Sequence, residues 1–227
     1  MGSGAATYEV GVTSTPVIDP AAGLLYVVDK TTGKHVLHAL SLTTGQDAVT
    51  PAVVGPPTGF TSNIQLNRPG LLFLNGVVYI AFGSHCDAGS YHGWVLGHDA
   101  KTPALEIAYT TTPSGTEGAI WQGGVGLTSD GTDLWFSVAN GAQGGSNMGM
   151  SVVKASVSGG TLTNVANHGL PANGDNDLSA GVVLAGNQVL SGGKGGYVIV
   201  MNAADASSAV RSSAHWKTTS TSPCVDG

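Results

Sequence analysis

Val77-Val78-Tyr79-Ile80-Ala81 is one of four related runs that recur along the 227-residue chain. Its counterparts are Leu24–Val28, Leu134–Val138 and the weaker Gln188–Ser191, and aligned positions in successive runs lie 53, 56 and 55 residues apart. A short apolar segment and a small turn precede each run, and another strand-like run follows it. A repeat of this length that is built from strand signals alone is typical of a propeller blade.

The repeat predicts a single domain over residues 1–227, with blades at about 11–54, 68–112, 122–166 and 179–217. Asn75-Gly76, between Gly70–Leu74 and Val77–Phe82, is the strongest hairpin signal in the chain. Helical periodicity is not sustained anywhere over ten residues. We therefore expect an all-β fold, a β-propeller of four-stranded antiparallel blades.

Four blades are at the lower limit for a propeller, because these folds close with about four to eight. The chain would then form either a small ring or part of a larger one. Blades at an open end would expose sheet faces and strand edges, and such surfaces favour self-association.

Composition narrows the classes of partner. Charged residues make up 10% of the chain, 8 Lys and Arg stand against 14 Asp and Glu, and no basic cluster is present that could neutralise a row of phosphates. This excludes nucleic acid as a partner. No apolar run approaches the ~20 residues of a membrane-spanning helix, so we expect no span. The low charge and many Thr and Ser residues favour an extracellular or periplasmic location, although Met1–Gly4 does not begin a signal peptide.

Several segments resemble a known family. Gly11–Asp19 followed by Gly23–Val28 is similar to the blade opening of bacterial quinoprotein-like propellers, also known as PQQ-binding-like repeat proteins, and His38–Gly45 resembles the end of that repeat. Asn67–Leu72 and Tyr91–Leu96 resemble an uncharacterised secreted branch of the same family. The resemblance implies a propeller fold and a secreted protein.

The enzymes of that family have features that this chain lacks. They share adjacent cysteines under the quinone, a Trp platform and Glu, Asn and Asp ligands for calcium. Cys86 and Cys224 are not adjacent here, and the Trp that usually closes a repeat is absent after Thr44-Gly45. PQQ is therefore disfavoured as a cofactor, and calcium is the cofactor that we retain as a candidate. We expect a non-catalytic binding or scaffold module, and the alternative is a quinone- or metal-dependent oxidoreductase.

The connections between second and third strands should emerge on the same rim as the connections between blades. The rim would collect residues 84–91, 139–149 and 192–196 together with 55–67, 113–122 and 169–178. Loops on a rigid scaffold commonly carry binding groups. We therefore expect a small molecule, a carbohydrate or a protein partner to bind at this rim.

Ser84–His92 is the densest candidate segment of the rim. His85, Asp87 and His92 offer ligands for a transition metal, with Tyr91 beside them. The alternative is that Tyr91 and His92 begin a strand while His85 and Asp87 bond the backbone of their own loop.

Three further candidates lie on the same rim. Asp175 and Asp177 in Asn173–Asp177 carry the oxygen ligands that calcium prefers, although these residues also form tight turns. Glu117 and Trp121 place a carboxylate near an indole that suits a sugar or flat ring, or that packs between blades. Lys194 lies in Gly192–Gly196, which lacks the Gly-Lys-Ser/Thr of a phosphate loop.

The two cysteines, Cys86 and Cys224, both fall in rim loops. A bond between them would restrict the unfolded chain by about 4–5 kcal/mol in the loop-entropy account. A closed ring of four blades would place them on opposite sides of the central funnel, and this geometry disfavours their pairing. No nucleophile elbow is present around any serine.

Overall fold

The computed structural model describes residues 10–55, 57–170, 175–196, 198–204, 206 and 209–212. Four antiparallel sheets follow one another along the chain. The only helical element in these residues is a short 3-10 turn at Gln122–Gly124. The described part contains no helix that is long and apolar enough to cross a membrane.

Each sheet is built from consecutive strands. The first blade contains β1 (Val17–Asp19), β2 (Leu24–Thr31), β3 (Lys34–Ser41) and β4 (Ala52–Val53). The second contains β5 (Gln65–Leu66), β6 (Leu72–Leu74), β7 (Val77–Ser84), β8 (Trp94–Asp99) and β9 (Leu105–Thr110), with β5 and β6 pairing with opposite ends of β7.

The third blade contains β10 (Thr128–Ser129), β11 (Asp133–Val138), β14 (Ser151–Ser158) and β15 (Thr161–Gly169), and a small hairpin of β12 (Gln143–Gly144) and β13 (Asn147–Met148) lies in its central connection. The fourth contains β16 (Val183–Ala185), β17 (Gln188–Gly192), β18 (Val198–Asn202) and β19 (Ala209–Ser212). The expected continuation of the last strand beyond Ser212 lies outside the described residues.

The predicted fold class is confirmed, because the chain is an all-β propeller of antiparallel blades. The strands do not all begin where the sequence predicts. In the second blade, for example, the strand begins at Leu72 rather than at Gly70. The preceding residues bond to other blades instead of to their own sheet: Leu71 N donates to Thr15 O at 2.9 Å, and Gly70 N donates to Val125 O at 3.3 Å.

The core lies between the blades and not within a single sheet. Side chains alternate along β7, so that Ile80 and Phe82 pack with Tyr26 of the first blade. Tyr79, which precedes Ile80 and points to the opposite face of the strand, packs with Phe136 of the third blade. Both faces of the strand are therefore buried, and this explains why its sequence is continuously apolar rather than alternating.

The same packing joins the third blade to the fourth. Trp135 is fully buried and packs in one cluster with Ile199 and Met201. The first and fourth blades each have one face that points away from the neighbouring blade, and this face exposes apolar side chains. Ile18 and Val53 on the first blade, and Val183 and Val198 on the fourth, are 41–55% exposed.

Glycine occurs at the same place in three blades, two residues before the first strand begins, as Gly70, Gly126 and Gly181. A Cβ on Gly70 would lie 3.0 Å from Gly124 O and 3.2 Å from Thr15 Cβ. A Cβ on Gly181 would lie 2.7 Å from Val125 Cγ1. Successive blades thus approach so closely at their inner ends that they leave little room for a side chain.

We predict that Gly70→Ala lowers the free energy of unfolding by about 1–3 kcal/mol, because the added methyl group is forced against the backbone of another blade. Gly169→Ala is the matched control, since its Cβ would meet only Ser151 Oγ at an ordinary 3.4 Å. The control should stay within about 0.5 kcal/mol of the wild type. Urea denaturation of both variants measures the difference, and equal losses would contradict the close approach at Gly70.

Candidate functional site

A cavity of about 820 Å³ opens at the rim where the blades converge. All four blades contribute to its wall, which is lined by Val10, Thr13, Leu66, Arg68, Ser84, His85, Cys86, Asp87, Trp121, Gly123, Asp177, Ser179 and Lys194. Segments far apart in sequence therefore meet at one mouth.

Two kinds of segment form this wall. Thr13 and Arg68 lie in entering segments, the stretches that lead into β1 and β6. Asp87 and Lys194 lie in connections between second and third strands. Antiparallel strands reverse direction at every turn, so both kinds of segment emerge at the same rim.

The loop after β7 has its own hydrogen bonds. Asp87 N donates to Ser84 Oγ at 2.8 Å, and Asp87 Oδ1 accepts bonds from Ser84 Oγ at 3.2 Å and from Tyr91 Oη at 2.7 Å. Burial, followed by the bond to Asp87, raises the pKa of the Tyr91 hydroxyl. Cys86 and Asp87 have φ values of +51° and +52°. Asp87 therefore bonds its own loop, as the alternative interpretation of this segment expected.

His92 does not join His85 and Asp87 at the cavity. Its Nδ1 donates to Thr112 O at 3.0 Å, and neither His92 nor Tyr91 contributes to the cavity wall. In the part of the chain that the structure describes, no group of three His, Cys, Asp or Glu side chains could hold a metal ion. A transition-metal site made of these three residues is not formed by this arrangement.

Cys86 is disulfide-bonded and lies in the cavity wall. Cys224, the other cysteine of the chain, lies outside the described residues. The bond is present, although the geometry of a closed ring of four blades disfavoured it. The cavity wall is tied covalently at this point.

Lys194 lies between the two carboxylates that we considered as calcium ligands. Its Nζ is 2.8 Å from Asp175 Oδ1 and 2.6 Å from Asp177 Oδ2. Burial alone would lower the pKa of Lys194, but the bonds to Asp175 and Asp177 outweigh it and the pKa is raised. The bond from Lys194 lowers the pKa of Asp175. An ammonium group thus occupies the position expected for calcium; Asn173 and Gly174 lie outside the described residues.

Trp121 lines the cavity, and one face of its ring lies on Gly83. A Cβ on Gly83 would be 2.6 Å from the ring carbons Cε3 and Cζ3. Trp121 also packs beside the buried residues Tyr91, Ala119 and Ala139. The indole of Trp121 therefore packs at a blade junction, as one interpretation expected. It also presents ring surface to the cavity, as the other interpretation requires.

Glu117 is not part of the cavity wall as far as the described residues show. Its backbone is left-handed, with φ +66°, and its N–H donates to Tyr91 O at 2.7 Å. Its carbonyl accepts a bond from Gly93 N at 3.1 Å. The structure therefore assigns the backbone of Glu117 a bridging position and does not place its carboxylate with Trp121 at the cavity.

Arg68 is a cavity residue that sequence reasoning missed. It is exposed, and within the described ranges it makes no hydrogen bond or ion pair. The backbone on either side is held by Asn67, whose Nδ2 donates to Ala81 O at 2.8 Å and to Pro69 O at 3.3 Å. The available signal was its place in the entering segment, one residue beyond the predicted rim range 55–67.

A buried polar layer between the first and second blades supports this wall. Lys30, only 1% exposed, donates from Nζ to Gln65 O at 2.8 Å and to Asn63 O at 3.3 Å, and burial lowers its pKa to about 8. His35 Nδ1 lies 2.7 Å from Ser62 Oγ. Burial, followed by the charges of Lys30 and His85, lowers the pKa of His35 to about 3.

Several solved structures are similar in fold to this chain. A quinohemoprotein alcohol dehydrogenase from Pseudomonas putida aligns with a TM-score of 0.63 at 16% identity, over 90% of this chain and 43% of its own. A europium-containing methanol dehydrogenase aligns with a TM-score of 0.67 at 10% identity, over 88% of this chain and 41% of its own. BamB from Moraxella catarrhalis aligns with a TM-score of 0.58 at 13% identity, over 85% of this chain and 50% of its own.

The chain shares the β-propeller fold of these proteins. The resemblance to quinoprotein-type propellers is thereby confirmed for the fold. This propeller chain spans about half the length, or less, of the structures it matches. No protein-family model matches it. No curated protein matches it by sequence.

We predict that acid destabilises this propeller through His35. The pKa of His35 is about 3 in the fold and about 6.5 in an unfolded chain. Below pH 6.5 the unfolded state therefore binds the proton first, and stability is lost as the pH falls towards 3. Between pH 7 and pH 5 the loss from this group should be about 2 kcal/mol.

Urea denaturation at both pH values, with His35→Phe beside the wild type, measures this loss. The variant should lose less stability on acidification, since Phe cannot take up a proton. Ser62→Ala is the control, because it removes the hydrogen bond and keeps the imidazole, so it should retain the wild-type pH dependence. The same pH dependence in His35→Phe and the wild type would contradict the assignment.

Proposed function

We propose that this chain is a non-catalytic β-propeller module that binds a small molecule in the cavity at the convergence of its blades. The observation that carries this proposal is the cavity itself, about 820 Å³ with a wall drawn from all four blades. This volume lies within the range of about 300–1,000 Å³ that is usual for small-molecule sites.

The state of the polar groups favours binding over catalysis. Lys194 and Asp177 bond each other, and Asp87 Oδ1 accepts two hydroxyl groups of its own loop. A general acid or base must reach the substrate with its proton-carrying atom. Lys194, Asp177 and the Oδ1 atom of Asp87 are instead bonded within the protein, where they hold the wall in place.

A quinone- or metal-dependent oxidoreductase is the alternative function. The described residues do not fit it well, since they offer no three-residue metal group and their cavity cysteine, Cys86, is disulfide-bonded rather than one of an adjacent pair. Metal analysis and an absorbance scan of the purified protein distinguish the two functions. A stoichiometric cofactor would favour the enzyme.

An extracellular or periplasmic location is part of the proposal. The disulfide at Cys86 supports it, because such bonds persist mainly in oxidising compartments. Whether a protein partner also binds at the rim stays a proposal, with the same converging loops as its support.

To test the binding site, we would screen the purified chain by thermal shift against neutral sugars, sugar acids, aromatic carboxylates and amino acids. A compound held in the cavity at 100 times its Kd should raise Tm by about 5 °C or more. Ser179→Trp should abolish the shift by filling the cavity, whereas Ser90→Trp, an exposed rim residue outside the wall, should retain it.

Two outcomes would contradict the proposed binding site. A shift that survives Ser179→Trp undiminished would place the bound compound elsewhere. Failure of every compound class to raise Tm would argue against a small-molecule site in this cavity.

We also propose self-association through the outer faces of the end blades. Ile18 and Val53 are both 49% exposed and lie on the face opposite the packed residues Val17 and Leu37. These faces resemble the inner faces that other blades cover, and covering them would remove apolar surface from water.

Light scattering coupled to size exclusion should show a mass that rises with protein concentration. The double variant Ile18→Lys, Val53→Lys should reduce this rise, because charge on the face opposes its burial. Leu42→Lys, an equally exposed apolar residue in a turn, is the control and should behave as the wild type. A mass of one chain at all concentrations would contradict self-association.

A further inference from the structure

Arg68 is the cavity cation whose charge is not compensated by another described side chain. Lys194, the other described cation in the wall, already contacts Asp175 and Asp177. Arg68 lies in the same wall without an ion pair or hydrogen bond to any described residue. A guanidinium group presents paired N–H donors that match the two oxygens of a carboxylate. The ligand that uses this group should carry a carboxylate.

Trp121 supplies a flat apolar surface in the same cavity. Gly83 supports one face of the ring, and the described wall contains no Phe, Tyr or second Trp. A ligand would therefore be stacked on one side only. A pyranose ring suits this arrangement, because its C–H face packs on an indole while its edge keeps its hydroxyl groups in contact with polar atoms.

Asp87 supplies hydrogen-bond acceptors for such hydroxyl groups. Its Oδ1 is held by Ser84 and Tyr91, which orients the carboxylate, and these bonds leave Oδ2 for other donors. Ser179 adds a hydroxyl group to the same wall. The wall thus offers a cation for an acid group, an apolar plane for a ring, and acceptors for hydroxyl groups.

We propose that the cavity binds an acidic sugar, a hexuronate unit whose carboxylate lies on Arg68, whose ring stacks on Trp121 and whose hydroxyl groups donate to Asp87. This assignment rests on the proposed function, in which the cavity is the binding site. It names the ligand class from three side chains that come from two different blades and three separate segments.

The test is calorimetric titration of the purified chain with D-galacturonate and with D-galactose, which differ by the carboxylate. Galacturonate should bind about tenfold more tightly than galactose, the contribution of a charge-assisted contact. Arg68→Gln should reduce galacturonate binding to the galactose level and leave galactose binding unchanged. Trp121→Ala should weaken the binding of both sugars.

Controls separate the local charge from general effects. Lys101→Gln removes one positive charge from the turn between β8 and β9, outside the cavity wall, and should bind galacturonate as the wild type does. Arg68→Gln should retain the wild-type denaturation midpoint, because Arg68 is exposed and without bonds to described residues.

The results also distinguish this proposal from the proposed function. Failure of galacturonate to bind at about 10 mM, or equal binding to Arg68→Gln and the wild type, would overturn the acidic-sugar assignment. If Ser179→Trp abolishes the Tm shift that another compound causes, the proposed binding function is retained and only the acidic-sugar assignment is lost. Galacturonate binding that Ser179→Trp leaves unchanged would overturn both.

Discussion

Face-to-face packing of the blades is the interaction on which the rest of this structure depends. Each interior blade buries both of its faces, as Ile80 and Tyr79 show on opposite sides of the same strand. The packing requires the sheets to approach closely at their inner ends, and Gly70, Gly126 and Gly181 mark the positions where they do so. Apolar burial supplies the driving force, and the missing side chains allow the geometry.

The cavity follows from this convergence. At the crowded inner end, residues of the entering segments bond to other blades, as Thr15 Oγ1 does with Gly124 O at 2.8 Å. Their polar side chains then surround a shared opening. Buried bonds such as those from Lys30 to the 63–65 segment hold the wall at the junction of two blades. The site is therefore built by the same packing that builds the core.

The chemistry of the cavity is divided between groups that hold the wall and groups that face the opening. Lys194 with Asp177, and Asp87 with Tyr91, belong largely to the first kind. Arg68 and the ring of Trp121 belong to the second. The strongest polar contacts of the cavity are therefore already made within the protein. This division also accounts for why residue types suited to metal ions do not gather into a metal site in the part of the chain that the structure describes.

The sequence by itself determined the strands, the repeat and the rim. Tyr26, Tyr79 and Trp135 all lie in second strands of their blades, because strand periodicity and turn residues are local signals that no distant contact needs to supply. It also placed His85, Asp87, Trp121 and Lys194 near one opening, since strand direction alone decides which connections share a rim.

Only the tertiary structure decided what those side chains contact. Nothing local indicates that Lys194 bonds Asp175, that His92 bonds Thr112 instead of facing the cavity, or that Arg68 is without a partner in the described residues. Contacts such as Thr15 with Gly124 join positions 109 residues apart. These contacts depend on how closely the blades pack. The sequence repeat does not indicate the distance between neighbouring blades.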